Sequence, residues 1–383
     1  MRKQHQVTYR YRNEDEHATE LWLSIPEQAE LLETNLSPSQ QTSSCYNELH
    51  YFVIQPQSEL TVTYQINPSS AKKVSLSSDE KQFYVRSSHL CYWDEETRAL
   101  AQSIIANQTD PRAQAEAIFV YVVDHFKYVY PPKARGVQSF CELGKGDCGE
   151  FSQLYAALCR SIGIPCRVIY GCWALGKMNG HAWNEVYIEG DGWVEVDSSM
   201  ARLQKYSKWQ FLFSSLRTYH WKDYFGAAEG QKINFSYDGD IKLEPPFEQE
   251  TAAKAIISSF PLCGRDFHWG IDSLNGNAPY LQPAYVRFNE NREKPVKAKE
   301  LLGTWAVREP LPWNLLFWTK RVAVGLLVCF FLLDLLTAFA VPSLVTGAVL
   351  LSVCLAFVLR GERKVLFSVL SCLVLGIMIN SAI

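Results

Sequence analysis

Cys148, His181 and Asp197 each fall where the neighbouring residues fix the local backbone, and together they constrain the fold more than any other feature of this chain. Cys148 stands in Gly146-Asp147-Cys148-Gly149, at the head of a run in which Phe151, Leu154, Tyr155, Leu158, Cys159 and Ile162 recur at helical spacing. Gly163 and Pro165 supply the stop just beyond. The pattern predicts a helix that starts at Cys148 and buries one apolar stripe. At such a start, unpaired N–H groups and the helix dipole favour a thiolate over a thiol and can hold an oxyanion. A buried core cysteine is the competing reading, because free cysteines rank among the most buried side chains.

Three strands are predicted after the helix: Arg167-Val168-Ile169-Tyr170, His181 to Ile188, and Trp193 to Asp197. The last two meet at Glu189-Gly190-Asp191-Gly192, a hairpin signal. A three-residue loop at Glu189-Gly190-Asp191 pairs Ile188 with Gly192 and Trp183 with Asp197. His181 is then the diagonal neighbour of Asp197 on one sheet face, about 7 Å away between backbones. A two-residue loop would put them on opposite faces. In the first register, thiol, imidazole and carboxylate are the parts of a thiol-based acyl-transfer site. Trp183, on the same face, would cover the imidazole; it also reads simply as a core aromatic on a strand.

The segments GDCGEFSQLYAALCRSIGIPCRVIYG and GHAWNEVYIEGDGWVEVDSS resemble the core of the transglutaminase-like superfamily, built on the papain-like cysteine-enzyme fold. The matching pieces are Gly-x-Cys opening a helix, Arg160-x-x-Gly163-Ile164-Pro165-x-Arg167, His181-Ala182-Trp183-x-Glu185-Val186, and Gly192-Trp193-x-x-x-Asp197. The first eighty residues look like the β-rich N-terminal module of bacterial members, and Phe225 to Leu243 resembles the tail of the core. The resemblance implies Cys148 as nucleophile, His181 as base and Asp197 as orienting acid. The chain departs from the pattern at Cys166, where a smaller residue is commoner, and at Ser198-Ser199, where proline often follows the aspartate. A second oxyanion donor is expected upstream. Gln138, ten residues before the cysteine, is the best amide, with Tyr128 and Tyr130 as hydroxyl alternatives; each also reads as an ordinary loop residue.

The wider pattern predicts an α+β protein in four parts. Residues 1–85 read as a β-rich domain, from alternation such as Leu60-Val62-Tyr64-Ile66. Residues 86–245 hold the catalytic core, with a helix opened by Asp110-Pro111. Residues 246–319 read as a connector or small appended module in which no chemistry is apparent. Residues 320–383 carry apolar stretches at about 322–341, 343–359 and 365–383, the first holding Asp334 as its one charge. Basic residues precede the first span (Lys320, Arg321) and separate the second from the third (Arg360, Arg363, Lys364), which places both clusters and the enzyme on the cytoplasmic side of a multi-pass cell-membrane protein. Asp334 reads as a protonated carboxyl bonded to a neighbouring helix, or as one half of a functional pair.

The remaining inferences are exclusions. A net charge of −3 without a basic patch points away from nucleic acid. The N-terminus shows no secretory signal pattern, and eleven irregularly spaced cysteines suit a reducing compartment. No Cys-x-x-Cys or His-x-x-x-His pair suggests a metal, and no cofactor is expected. The expected activity is cysteine-dependent acyl transfer on a protein or peptide substrate near the membrane. Water as acceptor makes a protease or amidase, an amine makes a transglutaminase, and a non-catalytic binding or assembly module is the third reading.

Overall fold

The computed structural model describes residues 4–26, 29–66, 75–174, 178–207, 220–226, 232–247, 259–262, 265–268, 272–287, 302–336, 343–360, 362 and 364–382. Six N-terminal strands form, His5–Arg12 (β1), Thr19–Ile25 (β2), Glu30–Thr34 (β3), Gln40–Ser44 (β4), Asn47–Ile54 (β5) and Glu59–Ile66 (β6), with buried and outward residues alternating most clearly in β1. The middle of the chain gives Cys166–Ala174 (β7), Met178–Ile188 (β8), Gly192–Val196 (β9) and Lys232–Tyr237 (β10). Ala284–Arg287 (β11) and Thr304–Arg308 (β12) follow. The helices are Ser78–Tyr84 (α1), Glu95–Ile105 (α2), Pro111–His125 (α3), Val137–Leu143 (α4), Cys148–Ser161 (α5), Ser198–Tyr206 (α6), Leu311–Leu336 (α7), Ser343–Arg360 (α8) and Lys364–Ala382 (α9).

The N-terminal strands divide between two sheets, ordered β12-β1-β6-β3 and β11-β2-β5-β4. Their inner faces meet through Val7, Tyr9, Leu21, Phe52, Val62 and Tyr64, and the same apolar cluster takes in Cys172 of β7 and Phe235 of β10. The β-rich part and the core therefore share one apolar interior. Residues 246–319, read from sequence as a connector, supply the outermost strands β11 and β12 to both sheets.

The central sheet runs β9-β8-β7-β10, all antiparallel, with α5 packed against β8 and β7. The β8–β9 hairpin pairs Ile188 with Gly192 and Asn184 with Val196, the register that the three-residue loop requires. Gly190 takes φ +87° in that loop, which a side chain would strain. Helix α5 departs from the expected single stripe: Gly149 through Ser161 are all buried. Such burial needs its polar groups paired. Arg160 donates to Cys166 O at 2.8 Å and to Asp238 at 2.7 Å, and Ser152 Oγ donates to Cys148 O at 2.8 Å. The helix ends as expected, with Gly163 at φ +84° and the Ile164 N–H returning to Cys159 O at 3.0 Å.

Residues from Arg308 onward belong to a second compact unit. Here α7, α8 and α9 pack around Ala323, Val353, Cys354, Phe357 and Phe367. Leu311–Leu333 is long and apolar enough to cross a membrane, while the apolar stretches of α8 and α9 are shorter. The helix begins at Leu311, ahead of the apolar stretch that the sequence shows from about residue 322. Lys320 does not stop it, because its amine meets Glu362 at 2.5 Å. Arg360 joins the same cluster, 2.6 Å from Glu362 and 2.8 Å from Glu309. The Asp334 side chain and residues 337–342 lie outside the described residues.

Candidate active site

Cys148 owes its position to a cap. Asp147 is the N-cap of α5, accepting from Gly149 N at 2.8 Å, while Glu150 reaches back to Asp147 N at 3.0 Å. Arg135 braces both carboxylates, at 2.9 Å and 3.0 Å. A Cβ on Gly149 would lie 3.2 Å from both the Arg135 guanidinium and the Asp147 carboxylate, so the residue after the cysteine has to be small.

His181 and Asp197 come from β8 and the end of β9. Nε2 of His181 lies 2.7 Å from Oδ2 of Asp197, both side chains buried. The imidazole ring is 4.9 Å from Trp173 and 5.9 Å from Trp183, centroid to centroid, so Trp183 does cover it, with Trp173 as a second wall. Asp197 also caps α6: Oδ1 accepts from Met200 N at 3.1 Å and from Ser199 Oγ at 3.0 Å. Ser199, the second residue after the aspartate, thus helps to hold the carboxylate.

Cys148 and His181 line one cavity of about 260 Å³, together with Tyr130, Arg135, Gln153, Tyr170, Ala182, Tyr280, Gln282, Leu302 and Trp305 among others. The backbone of Ala182, next to the histidine, lies close enough to the Cys148 sulfur to lower its thiol pKa in part. With Nε2 of His181 engaged by Asp197, Nδ1 is the ring nitrogen left for other partners. Four of the lining residues, Tyr280, Gln282, Leu302 and Trp305, come from the stretch in which the sequence showed no chemistry.

Gln138 is not part of this arrangement. It is exposed on α4 and does not line the cavity. The helix turns it outward, because Val137 and Phe140 take the buried face. The cavity's buried amide is Gln153, one side of which meets Tyr170 Oη at 3.4 Å. Of the hydroxyl alternatives, Tyr130 lines the cavity, and Tyr128 is close enough to feel it: burial raises its phenol, and the nearby Cys148, Asp147 and Asp197 raise it further.

The electrostatics also differ from the expectation of a thiolate. Burial pushes the Cys148 thiol well up and the Asp147 carboxylate adds to this, while the Ala182 backbone and Arg135 offset only part. The carboxylate that caps the helix opposes the positive end of its dipole, and both effects favour the thiol over the thiolate. Asp197 goes the other way. Burial alone would raise its carboxyl, but Lys232, then His181, bring it well below the usual carboxylate range. Lys232 was missed from sequence. Its amine is 3.0 Å from Asp197 Oδ2 and 2.7 Å from Glu195 Oε1. The Asp147-x-x-Glu150 spacing of a capping box was a legible signal for the braced helix start; Lys232, in the strand Lys232-Ile-Asn-Phe-Ser-Tyr, had only its incongruity.

A cysteine at a capped helix start, facing a histidine–aspartate pair on an adjoining antiparallel sheet, defines a papain-like arrangement. Residues 98–198 match the model of the transglutaminase-like superfamily. An uncharacterised protein of Haemophilus influenzae is 24% identical over 207 residues, 47% of this chain and 56% of the relative, so the match spans little more than half of that protein. Among solved structures, a Cytophaga hutchinsonii protein proposed to be a cysteine protease is similar over 51% of this chain and 76% of its own, at 16% identity and TM-score 0.41. The periplasmic domain of TgpA from Pseudomonas aeruginosa is similar over 51% and 72%, at 21% identity and TM-score 0.36.

Proposed function

We propose that this chain is a membrane-anchored cysteine hydrolase that cleaves amide or peptide bonds through Cys148, His181 and Asp197. The observation that carries the reading is the 2.7 Å His181–Asp197 contact beside a cavity that Cys148 also lines. Asp197 fixes the imidazole so that its other nitrogen takes the Cys148 proton as sulfur attacks the substrate carbonyl carbon. The oxyanion forms at the α5 start, among backbone N–H groups, with Gln153 as the nearest buried amide. The proton passes from His181 to the departing amine. Water, deprotonated by His181, then attacks the thioester, and the acid leaves as sulfur recovers the proton. No metal or cofactor enters these steps.

The helical unit anchors the enzyme. Large apolar side chains on all three helices face outward, including Phe331, Leu355, Val369 and Ile377, as lipid contact requires. Three spans, with the enzyme on the cytoplasmic side, place Lys320, Arg321, Arg360, Arg363 and Lys364 together on the inner surface. The substrate is then a protein or peptide near that surface.

The test is to incubate the full-length protein in detergent with a peptide library, with and without a primary amine, and to weigh the products. Acid product that disappears in Cys148→Ala supports hydrolysis. Predominant isopeptide product at modest amine concentration replaces water with an amine as acceptor and makes the enzyme a transglutaminase. Reporters fused at each end decide the topology: one after Ile383 active only outside the cytoplasm agrees with three spans, and an N-terminal one found outside overturns the cytoplasmic placement.

A further inference from the structure

Lys232 is an unusual neighbour for a catalytic carboxylate. It enters from β10, the far edge of the central sheet, and its side chain is 2% exposed. Its amine shares Oδ2 of Asp197 with His181 Nε2, at 3.0 Å and 2.7 Å. It also lies 5.2 Å from the Trp173 ring and 5.1 Å from the Trp183 ring, the two indoles that flank the imidazole. We infer that Lys232 is a positioning residue that opposes proton transfer from Cys148 to His181 in the empty site. The inference rests on the catalytic reading proposed above.

The argument is one of competition for a single oxygen. An imidazolium is stabilised by the carboxylate behind it, and that attraction drives proton transfer from thiol to imidazole in the empty site. A cation bonded to the same oxygen opposes it, and in a buried site the opposition is weakly screened. A buried lysine would tend to lose its proton, but Glu195 at 2.7 Å on its other side favours the charged form. The remaining charged or titratable neighbours do not replace it. Glu185 on β8 is bound to Arg167 at 2.5 Å. Asp147 at the α5 start is bound to Arg135, and Tyr128 presents a neutral phenol. Nucleophile and base would therefore exchange their proton chiefly when substrate occupies the cavity. A thiol kept neutral between turnovers is also less open to oxidation.

The experiment compares full-length wild type, Lys232→Met, Lys232→Arg and the double variant Lys232→Met/Glu195→Gln, all in detergent. Iodoacetamide labelling of Cys148 is timed by peptide mass mapping between about pH 5 and 9, the range over which an imidazole titrates. Thiolate absorbance is read against Cys148→Ala. Removing the cation is expected to quicken labelling near neutral pH by roughly tenfold, equivalent to about one pH unit, with a matching rise in thiolate. Lys232→Arg keeps the charge and should keep the wild-type profile. The double variant should show the same gain, which excludes the stranded Glu195 carboxylate as its cause and provides a neutral replacement should the single variant fold poorly. A loss of structure alone would slow or scatter labelling without raising the thiolate signal. Unchanged or slower labelling in both Met variants overturns the inference while the proposed chemistry stands; peptide cleavage surviving in Cys148→Ala overturns the chemistry itself, and the inference with it.

Discussion

Asp197 and Asp238 are two buried carboxylates at the ends of strands in the same sheet, and each is held by two basic groups. Asp238, just past β10, takes Arg160 at 2.7 Å and Arg86 at 2.8 Å. Asp197, just past β9, takes His181 and Lys232. Burial would raise both carboxyls, and in both the basic neighbours reverse the effect and bring them below the usual range. By electrostatics alone the two look alike. They differ in what the partners can do: both arginines keep their charge at any working pH, whereas His181 can gain and lose a proton and borders a cavity. A depressed carboxyl marks a charge cluster; a partner of variable charge beside open space makes one a candidate site.

Substitutions at the two aspartates should therefore separate. Asp197→Asn should lower kcat by roughly 10³–10⁴-fold, since the imidazole loses the group that fixes its tautomer, with most of the fold retained; circular dichroism beside peptide-cleavage rates checks this. If activity survives, the comparison fails at its first step. Asp238→Ala should instead cost about 3–5 kcal/mol, because it strands the buried Arg160 charge. Denaturant titration reads that loss, and cleavage by the folded fraction should stay near wild type.

Acid should affect the two carboxylates alike. Both have folded-state values below their unfolded ones, so the stability they contribute is present at neutral pH. It begins to fall as pH drops beneath about 4 and is lost as the folded values are passed. Denaturation midpoints measured between neutral and acidic pH should show this, with a smaller slope in Asp238→Asn. A smaller effect still is expected at Gln138: Gln138→Ala should leave kcat unchanged, whereas Gln153→Ala should lower it by about 10²-fold if that amide serves the oxyanion. Equal losses at the two glutamines would restore the sequence-based choice.

Much of the site was legible because it is local. Cys148 heads a periodic run, and His181 and Asp197 are tied by a hairpin whose loop length sets the register, so short-range patterns were enough. What escaped depends on chain reversals. Lys232 meets Asp197 only once β10, thirty-odd residues on, has docked on β7, and Trp305 reaches the cavity from over a hundred residues further on. The helix dipole argument treated the α5 start as bare, whereas Asp147 and Glu150 cap it and Arg135 braces both carboxylates. That α7 runs through Lys320 and Arg321 was not legible either, since nothing local shows that Glu362 pairs with the first of them.

The outer strands β11 and β12 impose an order on synthesis. β1 and β2 leave the ribosome early, yet the strands that border them, β12 and β11, are more than two hundred residues away in the chain. At ordinary elongation rates the nascent sandwich waits on the order of ten seconds to a minute with both flanks bare. Unpaired flanks of this kind recruit other chains. Closing strand β12 is followed almost at once by α7, so the sandwich is completed only as that long apolar helix is being made. A chain terminated near residue 245 would retain every catalytic candidate and Lys232, but it would be a sticky, open-sided fragment.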